Sequence, residues 1–208
     1  ASMDADTGRA VLIGLPRNLA KVPFPKGSVM DKEFPQGFDC EGCYLNAVYT
    51  WAQDHKAQFD EKDPGINATI GAVEESTGLS INYYALVNMK GFSKLVDSVG
   101  GVKINVRERT AIGGIGSPIR GWIETGEQQL TGSQALWYAR SRVMNDDWSR
   151  MGRQKCVLNA MVQQLNPQTV LLNMNDIAKS GSAMITTSVP RQDMAVFVDL
   201  ALKARKNP

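Results

Sequence analysis

Apolar residues recur along the chain with two periods, and each period names an element. Val11 to Leu15 is a short apolar run after the turn-like Asp6-Thr7-Gly8 and predicts a buried strand, ended by Pro16. A loop rich in Pro and Gly follows to about Gly42, of a length that is usually functional or mobile. Leu45, Val48, Trp51 and Ala52 share a helical spacing, predicting a helix over Leu45 to Phe59. Asp63-Pro64-Gly65 breaks it, and Ile66, Ile70, Val73 and Leu79 suit a second helix closed by Gly78. Ile81 to Val87 reads as a strand, and Met89 to Val99 as a helix with Phe92, Leu95 and Val96 on one face. Gly100-Gly101 stops that helix, and Val102, Ile104 and Val106 alternate as a strand. Gly113 to Gly121 reads as a glycine-rich loop before the segments that start at Trp122 and Gly126. Thr131 opens a short helix, Gly132 to Leu136, and Tyr138 to Arg142 reads as extended. Asp147 to Leu165 is a long helix with Val157, Leu158, Met161, Val162 and Leu165 as its apolar positions. Pro167 suits the first turn of another. A last amphipathic helix carries Met194, Phe197, Val198 and Leu200 to Leu202. Strands alternating with helices, without repeats or a visible linker, predict an α/β fold with a sheet covered on both faces.

The length of 208 residues suits one domain, and 43% hydrophobic with 21% charged residues excludes a disordered or low-complexity chain. The 23 basic and 21 acidic residues leave a formal charge of +2. That balance, without aromatic interleaving, argues against a nucleic-acid partner, so any anion site must arise from local clustering. His55 is the one histidine and sits on the polar helix face Gln53-Asp54-His55-Lys56, which removes histidine-rich metal sites. No segment approaches ~18 consecutive apolar residues, the length that spans a bilayer, and the opening Ala1-Ser2-Met3-Asp4 reads as a trimmed or processed start. Cys40 and Cys43 form a C-x-x-C in a loop, far from Cys156. Zinc would want a second pair. The pattern favours a structural disulfide, either Cys40–Cys43 or one of them with Cys156, and an oxidising compartment.

The candidate chemistry concentrates in Tyr138-Ala139-Arg140-Ser141-Arg142 and in Asp147-Trp148-Ser149-Arg150 to Arg153-Gln154. In an extended segment Arg140 and Arg142 project to one face. In the helix Arg150 and Gln154 lie one turn apart on one face, with Arg153 roughly 100° round the axis. Like charges repel unless an anion sits among them, and guanidinium forks suit phosphate. The bland reading is a solvated basic face, with Asp147 only complementing the helix dipole. Arg17 ends the first predicted strand in Leu15-Pro16-Arg17-Asn18, a place where open α/β sheets bind ligands, and Lys21 adds a second cation. No P-loop, nucleophile elbow or dinucleotide fingerprint is present.

These stretches, taken in order, resemble the LytR-CpsA-Psr family of cell-wall glycopolymer ligases. Leu15-Pro16-Arg17-Asn18 matches its S-x-P-R-D motif, Leu45-Asn46-Ala47-Val48-Tyr49 its K-I-N-A-A-Y motif, and Tyr84 to Phe92 a third. Val96-Asp97-Ser98-Val99-Gly100-Gly101-Val102, Gly126 to Gly132, Gln134 to Arg142, and Asp147 to Gln154 complete the set. Each motif is weak alone, and the ordered set is specific. Asp39 to Trp51 and Asn166-Pro167 look like the actinobacterial branch.

The resemblance implies a three-layer α/β/α sandwich around a central mixed sheet. It implies a phosphotransferase on the outer face of the cytoplasmic membrane, moving a glycan phosphate from a polyprenyl-pyrophosphate lipid to a peptidoglycan hydroxyl; arabinogalactan is a plausible linked polymer. Carried over by position, Arg17, Arg140, Arg142, Arg150 and Gln154 bind the head group, joined by Lys21, Arg153 and Tyr44, with Asp147 a candidate base. Tyr44 stands where the family has the lysine of K-I-N. An apolar groove for the lipid would be lined by Val48, Trp51, Ile70, Val73, Phe92, Val96, Leu158 and Met161, positions that equally suit plain core. Magnesium is expected from the family, but its upstream R-x-D motif and earlier Asp are absent, so the ligands and the membrane anchor would lie before Ala1 and the chain would be one truncated catalytic domain. The rivals are a non-catalytic binder of polyprenyl phosphate or anionic glycan, and a pyrophosphatase acting on the same lipid.

Overall fold

The structure is a computed structural model that describes residues 1–114, 116–143, 147–164 and 185–206. The chain divides into two compact units, Leu15–Asn82 and Ala1–Gly14 with Tyr83–Pro208.

In the Leu15–Asn82 unit the long Pro- and Gly-rich stretch is ordered. It contains a short helix, α1 (Val29–Glu33), capped by Ser28, whose hydroxyl accepts the Asp31 N–H. It also forms two isolated bridges, Ala20 with Tyr44 and Val22 with Phe38. Apolar side chains spaced through it supply the order: Val22, Phe24, Met30 and Phe38 are buried with Val48, Ala52 and Ala72. α2 (Leu45–Asp54) runs into a single 3-10 turn, Lys56–Gln58. α3 (Pro64–Thr77) begins with Pro64, is capped by Asp63 accepting the Ile66 N–H at 3.2 Å, and stops at Gly78 in the left-handed region. The Cys40–Cys43 disulfide closes the turn just before α2, settling the pairing that the spacing left open.

In the other unit every described strand pair is antiparallel: β1 (Ser2–Met3) with β2 (Ala10–Val11), β3 (Ala85–Val87) with β8 (Ile185–Thr187), β4 (Val102–Val106) with β7 (Gly126–Leu130), and β5 (Thr110–Gly114) with β6 (Ser117–Ile123). The helices are α4 (Met89–Ser98), α5 (Gly132–Arg140), α6 (Asp147–Gln164) and α7 (Met194–Lys206). The alternation along β4 does what its sequence predicts: Val102, Ile104 and Val106 are buried and Lys103 and Asn105 exposed. The buried face joins Val96 of α4, Leu130 of β7, Ala135 and Tyr138 of α5, and Val157 of α6 in one apolar cluster. α5 starts at a capping box in which Thr131 and Gln134 each accept from the other's backbone N–H. Its first residue, Gly132, lies against α4: Asp97 accepts the Gly132 N–H at 2.6 Å, and a Cβ there would overlap the Ser93 carbonyl.

Four predicted elements differ. The strand expected from Val11 to Leu15 ends at Val11, and Val11, Leu12 and Ile13 are exposed rather than buried, because β2 pairs only with the two residues of β1. The strand expected over Ile81 to Val87 is confined to Ala85–Val87. In place of a loop, Gly113 and Gly114 end β5 and Ser117 to Gly121 lie in β6 of one hairpin; Gly113 and Gly114 take positive φ and allow an irregular register between Ile112 and Gly114. Tyr138 to Arg140 is helical: α5 runs past Leu136, and the Trp137 carbonyl still accepts the Ser141 N–H. The helix expected from Pro167 lies outside the described residues.

Gly132→Ala is expected to destabilise the protein by about 1–3 kcal/mol through overpacking against α4. Gly152→Ala, in an exposed interior turn of α6 with open space around it, is expected to stabilise by up to about 1 kcal/mol. Thermal denaturation of the two variants checks both signs.

Candidate functional site

The richest constellation of predicted site residues forms where α5 ends and α6 begins. The last carbonyls of a helix have no partner within it and carry partial negative charge. At α5 they are met by side chains of α6. Arg153 donates from Nε to the Tyr138 carbonyl at 2.8 Å and from Nη2 to the Ser141 carbonyl. Gln154 donates from Nε2 to the Ala139 carbonyl at 3.2 Å. Arg153 is buried at 7% exposure, and such burial is tolerated because its guanidinium is hydrogen-bonded. Arg150, one turn earlier on α6, is buried at 4%.

This junction positions the exposed arginines. Arg140 is the last residue of α5, its guanidinium 5.4 Å from the centre of the Trp137 ring. Ser141 turns the chain out of the helix at φ −54 and ψ 135, and exposed Arg142 follows. The expected route to the cluster, two arginines alternating along an extended segment, is therefore corrected: Arg140 is helical, and Arg153 and Gln154 tether α6 to the end of α5, where Arg140 and Arg142 flank Ser141. Asp147 is the first residue of α6; its side chain lies outside the described residues. Sequence reasoning missed Ser141, which is 3% exposed and whose Oγ has no hydrogen-bond partner among the described residues. The signal for it was its place between the two arginines. Burial pushes the Tyr138 phenol above its ordinary value, a charged Cys156 would act in the same direction, and Arg153 and Arg107 pull the other way. Tyr138 therefore stays protonated at neutral pH.

Arg17, Lys21 and Tyr44 belong to the Leu15–Asn82 unit and gather around the start of α2. No side chain caps α2. Instead its first N–H groups donate to backbone carbonyls, Leu45 to Leu19 at 2.9 Å and Asn46 to Arg17 at 3.0 Å. Exposed Arg17 is thereby fixed through its backbone, Tyr44 bridges Ala20, and Lys21 lies 3.5 Å from Asp39.

The apolar candidates divide between the units. Val48 and Val96 are fully enclosed in the cores of their own units, which leaves them no surface for a lipid. Trp51, Phe92 and Met161 pack against those cores half-buried, and Ile70 and Val73 are half-buried in α3. Leu158 is 46% exposed. Among the described residues no three His, Cys, Asp or Glu side chains come together as a metal site, and no helix is long and apolar enough to cross a membrane. Arg153→Leu, which removes charged hydrogen bonds and leaves helix-end carbonyls unmet, is expected to cost about 2–4 kcal/mol, read as a lower denaturation midpoint with unchanged slope.

The chain is similar to known proteins in sequence and in fold. The LytR_cpsA_psr family model matches residues 29–207. Polyisoprenyl-teichoic acid–peptidoglycan teichoic acid transferase TagV of Bacillus subtilis is 28% identical over 128 residues, covering 60% of this chain and 33% of TagV. Cell wall biosynthesis protein LcpA of Corynebacterium glutamicum is 33% identical over 131 residues, covering 62% of this chain and 24% of LcpA. The chain thus spans a third or less of these relatives' lengths. The crystal structure of B. subtilis TagV superposes with a TM-score of 0.67 at 22% identity, over 99% of this chain and 69% of that one, which fixes the fold as the mixed α/β fold of that protein. With the family model matching most of its length and its motifs occurring in order, this chain belongs to the LytR_cpsA_psr family.

Proposed function

We propose that the chain is the phosphotransferase part of a cell-envelope protein. It moves a glycan phosphate from a polyprenyl-pyrophosphate carrier to a hydroxyl of peptidoglycan at the outer face of the cytoplasmic membrane. The observation that supports this reading is the α5–α6 junction, where Arg153 and Gln154 of α6 bond to the carbonyls at the end of α5 and exposed Arg140 and Arg142 flank Ser141. The name of TagV, a teichoic acid transferase to peptidoglycan, supports the same chemistry, and that of LcpA supports a place in cell wall biosynthesis. Arabinogalactan as the linked polymer belongs to this proposal.

Phosphoryl transfer asks for in-line placement and neutralisation of charge on the phosphate oxygens more than for covalent help. Guanidiniums offer both, since each fork is permanently charged and binds two oxygens at once. In the proposed step the acceptor hydroxyl oxygen bonds to the glycan-side phosphorus. The bond from that phosphorus to the bridging oxygen breaks, and polyprenyl phosphate leaves with the electron pair. The hydroxyl proton passes to a base, for which Asp147 at the start of α6 is the candidate. Arg17 and Lys21 carry a head-group role by position in the family motif. Magnesium dependence is part of the same proposal; among the described residues no three His, Cys, Asp or Glu side chains come together to hold the ion.

In the full-length protein, Arg140→Ala and Arg142→Ala are expected to lower transfer by about 10²–10³-fold with little change in thermal midpoint, because both side chains are exposed. Arg17→Ala is expected to lower it as well. Release of polyprenyl phosphate together with glycan-linked peptidoglycan is the readout. Transfer at the normal rate in the arginine variants would show the site assignment to be wrong. Release of a free phosphorylated glycan whether or not acceptor is added would identify a pyrophosphatase, and binding without either product a non-catalytic binder.

A further inference from the structure

A second feature of α6 stands apart from the arginines at its start. A pocket of about 570 Å³ opens between α6 and the end of β4, within the range that holds sugar-sized ligands. Its α6 wall is Ser149, Gly152, Arg153, Cys156 and Asn159, at three- and four-residue spacing along one face, with Lys155 at its edge. Arg150 and Gln154 each lie one residue, roughly 100°, further round the axis than Ser149 and Arg153, and neither lines the pocket.

The charge of the pocket is lopsided. Arg107, Arg153 and Lys155 face it, against the single carboxylate of Glu108. Neighbouring cations on the same stretch of chain are neutralised: Lys103 pairs with Glu127 at 2.9 Å and Arg109 with Glu124 at 2.9 Å. Arg107, between them, and Lys155 form no ion pair among the described residues. Cations held around a concave surface focus positive potential into it and favour an anion there. Asn105, Ser149 and Asn159 add neutral donors and acceptors suited to hydroxyl groups.

We infer that this pocket binds a phosphate-bearing saccharide, separately from Arg140, Arg142 and Arg150, none of which lines it. Arg107 and Lys155 take the phosphate, and the amides and the serine take the sugar hydroxyls. The binding requires no turnover, so it stands or falls apart from the transferase reading.

Cys156 provides a built-in reporter. It lines the pocket half-buried, and because Cys40 and Cys43 are disulfide-bonded it is the chain's one free thiol. The test is the rate of Cys156 alkylation by iodoacetamide in the oxidised 208-residue chain, read by intact mass, with glucose 1-phosphate, glucose or inorganic phosphate present. Glucose 1-phosphate is expected to slow alkylation saturably, at least fivefold, at concentrations where glucose and inorganic phosphate protect less. Arg107→Ala and Lys155→Gln, each measured against its own ligand-free rate, are expected to raise the half-saturating concentration at least tenfold. Arg140→Ala is expected to leave it unchanged. Absence of protection, equal protection by glucose or by inorganic phosphate, an Arg107→Ala chain as well protected as the original, or loss of protection in Arg140→Ala would each overturn the proposal.

Discussion

The arrangement of the α5–α6 junction depends on one interaction: the Arg153 guanidinium, buried at 7% exposure, donates to the carbonyls of Tyr138 and Ser141 at the end of α5. A helix end that is buried needs donors for its last carbonyls. Here they come from the next helix in the chain, with Gln154 adding a third bond to Ala139. The geometry satisfies a buried cation and a helix terminus at once. It also brings the first turns of α6, with Arg150, to the place where α5 releases Arg140 and Arg142. The structural arginine therefore holds the frame that exposed Arg140 and Arg142 flank.

The same economy recurs in the Leu15–Asn82 unit. α2 has no side-chain cap, and its first N–H groups are met by the backbone carbonyls of Leu19 and Arg17. The segment that carries Arg17 is thus fixed by the start of a helix that the Cys40–Cys43 disulfide immediately precedes. In both units a loop with charged residues is ordered by an unsatisfied helix end.

Elements with strong periodicity or explicit stop signals were legible from the residues. Asp63-Pro64 and Gly78 bound α3, Thr131 with Gln134 marks the start of α5, and the alternation of Val102, Ile104 and Val106 identifies β4. The misread segments have a common cause: their conformation is decided by partners elsewhere in the chain. Gly113 and Gly114 look like loop residues locally, yet the pairing of Thr110 with Ile123 makes them part of a hairpin. Tyr138 to Arg140 alternates like a strand but continues a helix whose end is held by α6. For the site, the sequence singles out the charged residues, and the family motifs propose a chemistry for them. It did not separate Arg153, turned inward to backbone carbonyls, from the exposed Arg140 and Arg142, because that division depends on which α6 face meets α5. Val48 and Val96 show the same limit, since only their complete burial distinguishes core from groove.

The most direct measurement is a crystal structure of the full-length protein with a polyprenyl phosphate bound. The account predicts the lipid phosphate within hydrogen-bond distance of the Arg140, Arg142 and Arg150 side chains, with Arg153 still bonded to the carbonyls of Tyr138 and Ser141. A phosphate bound away from these arginines, or an Arg153 that leaves the end of α5 to hold the lipid, would contradict it.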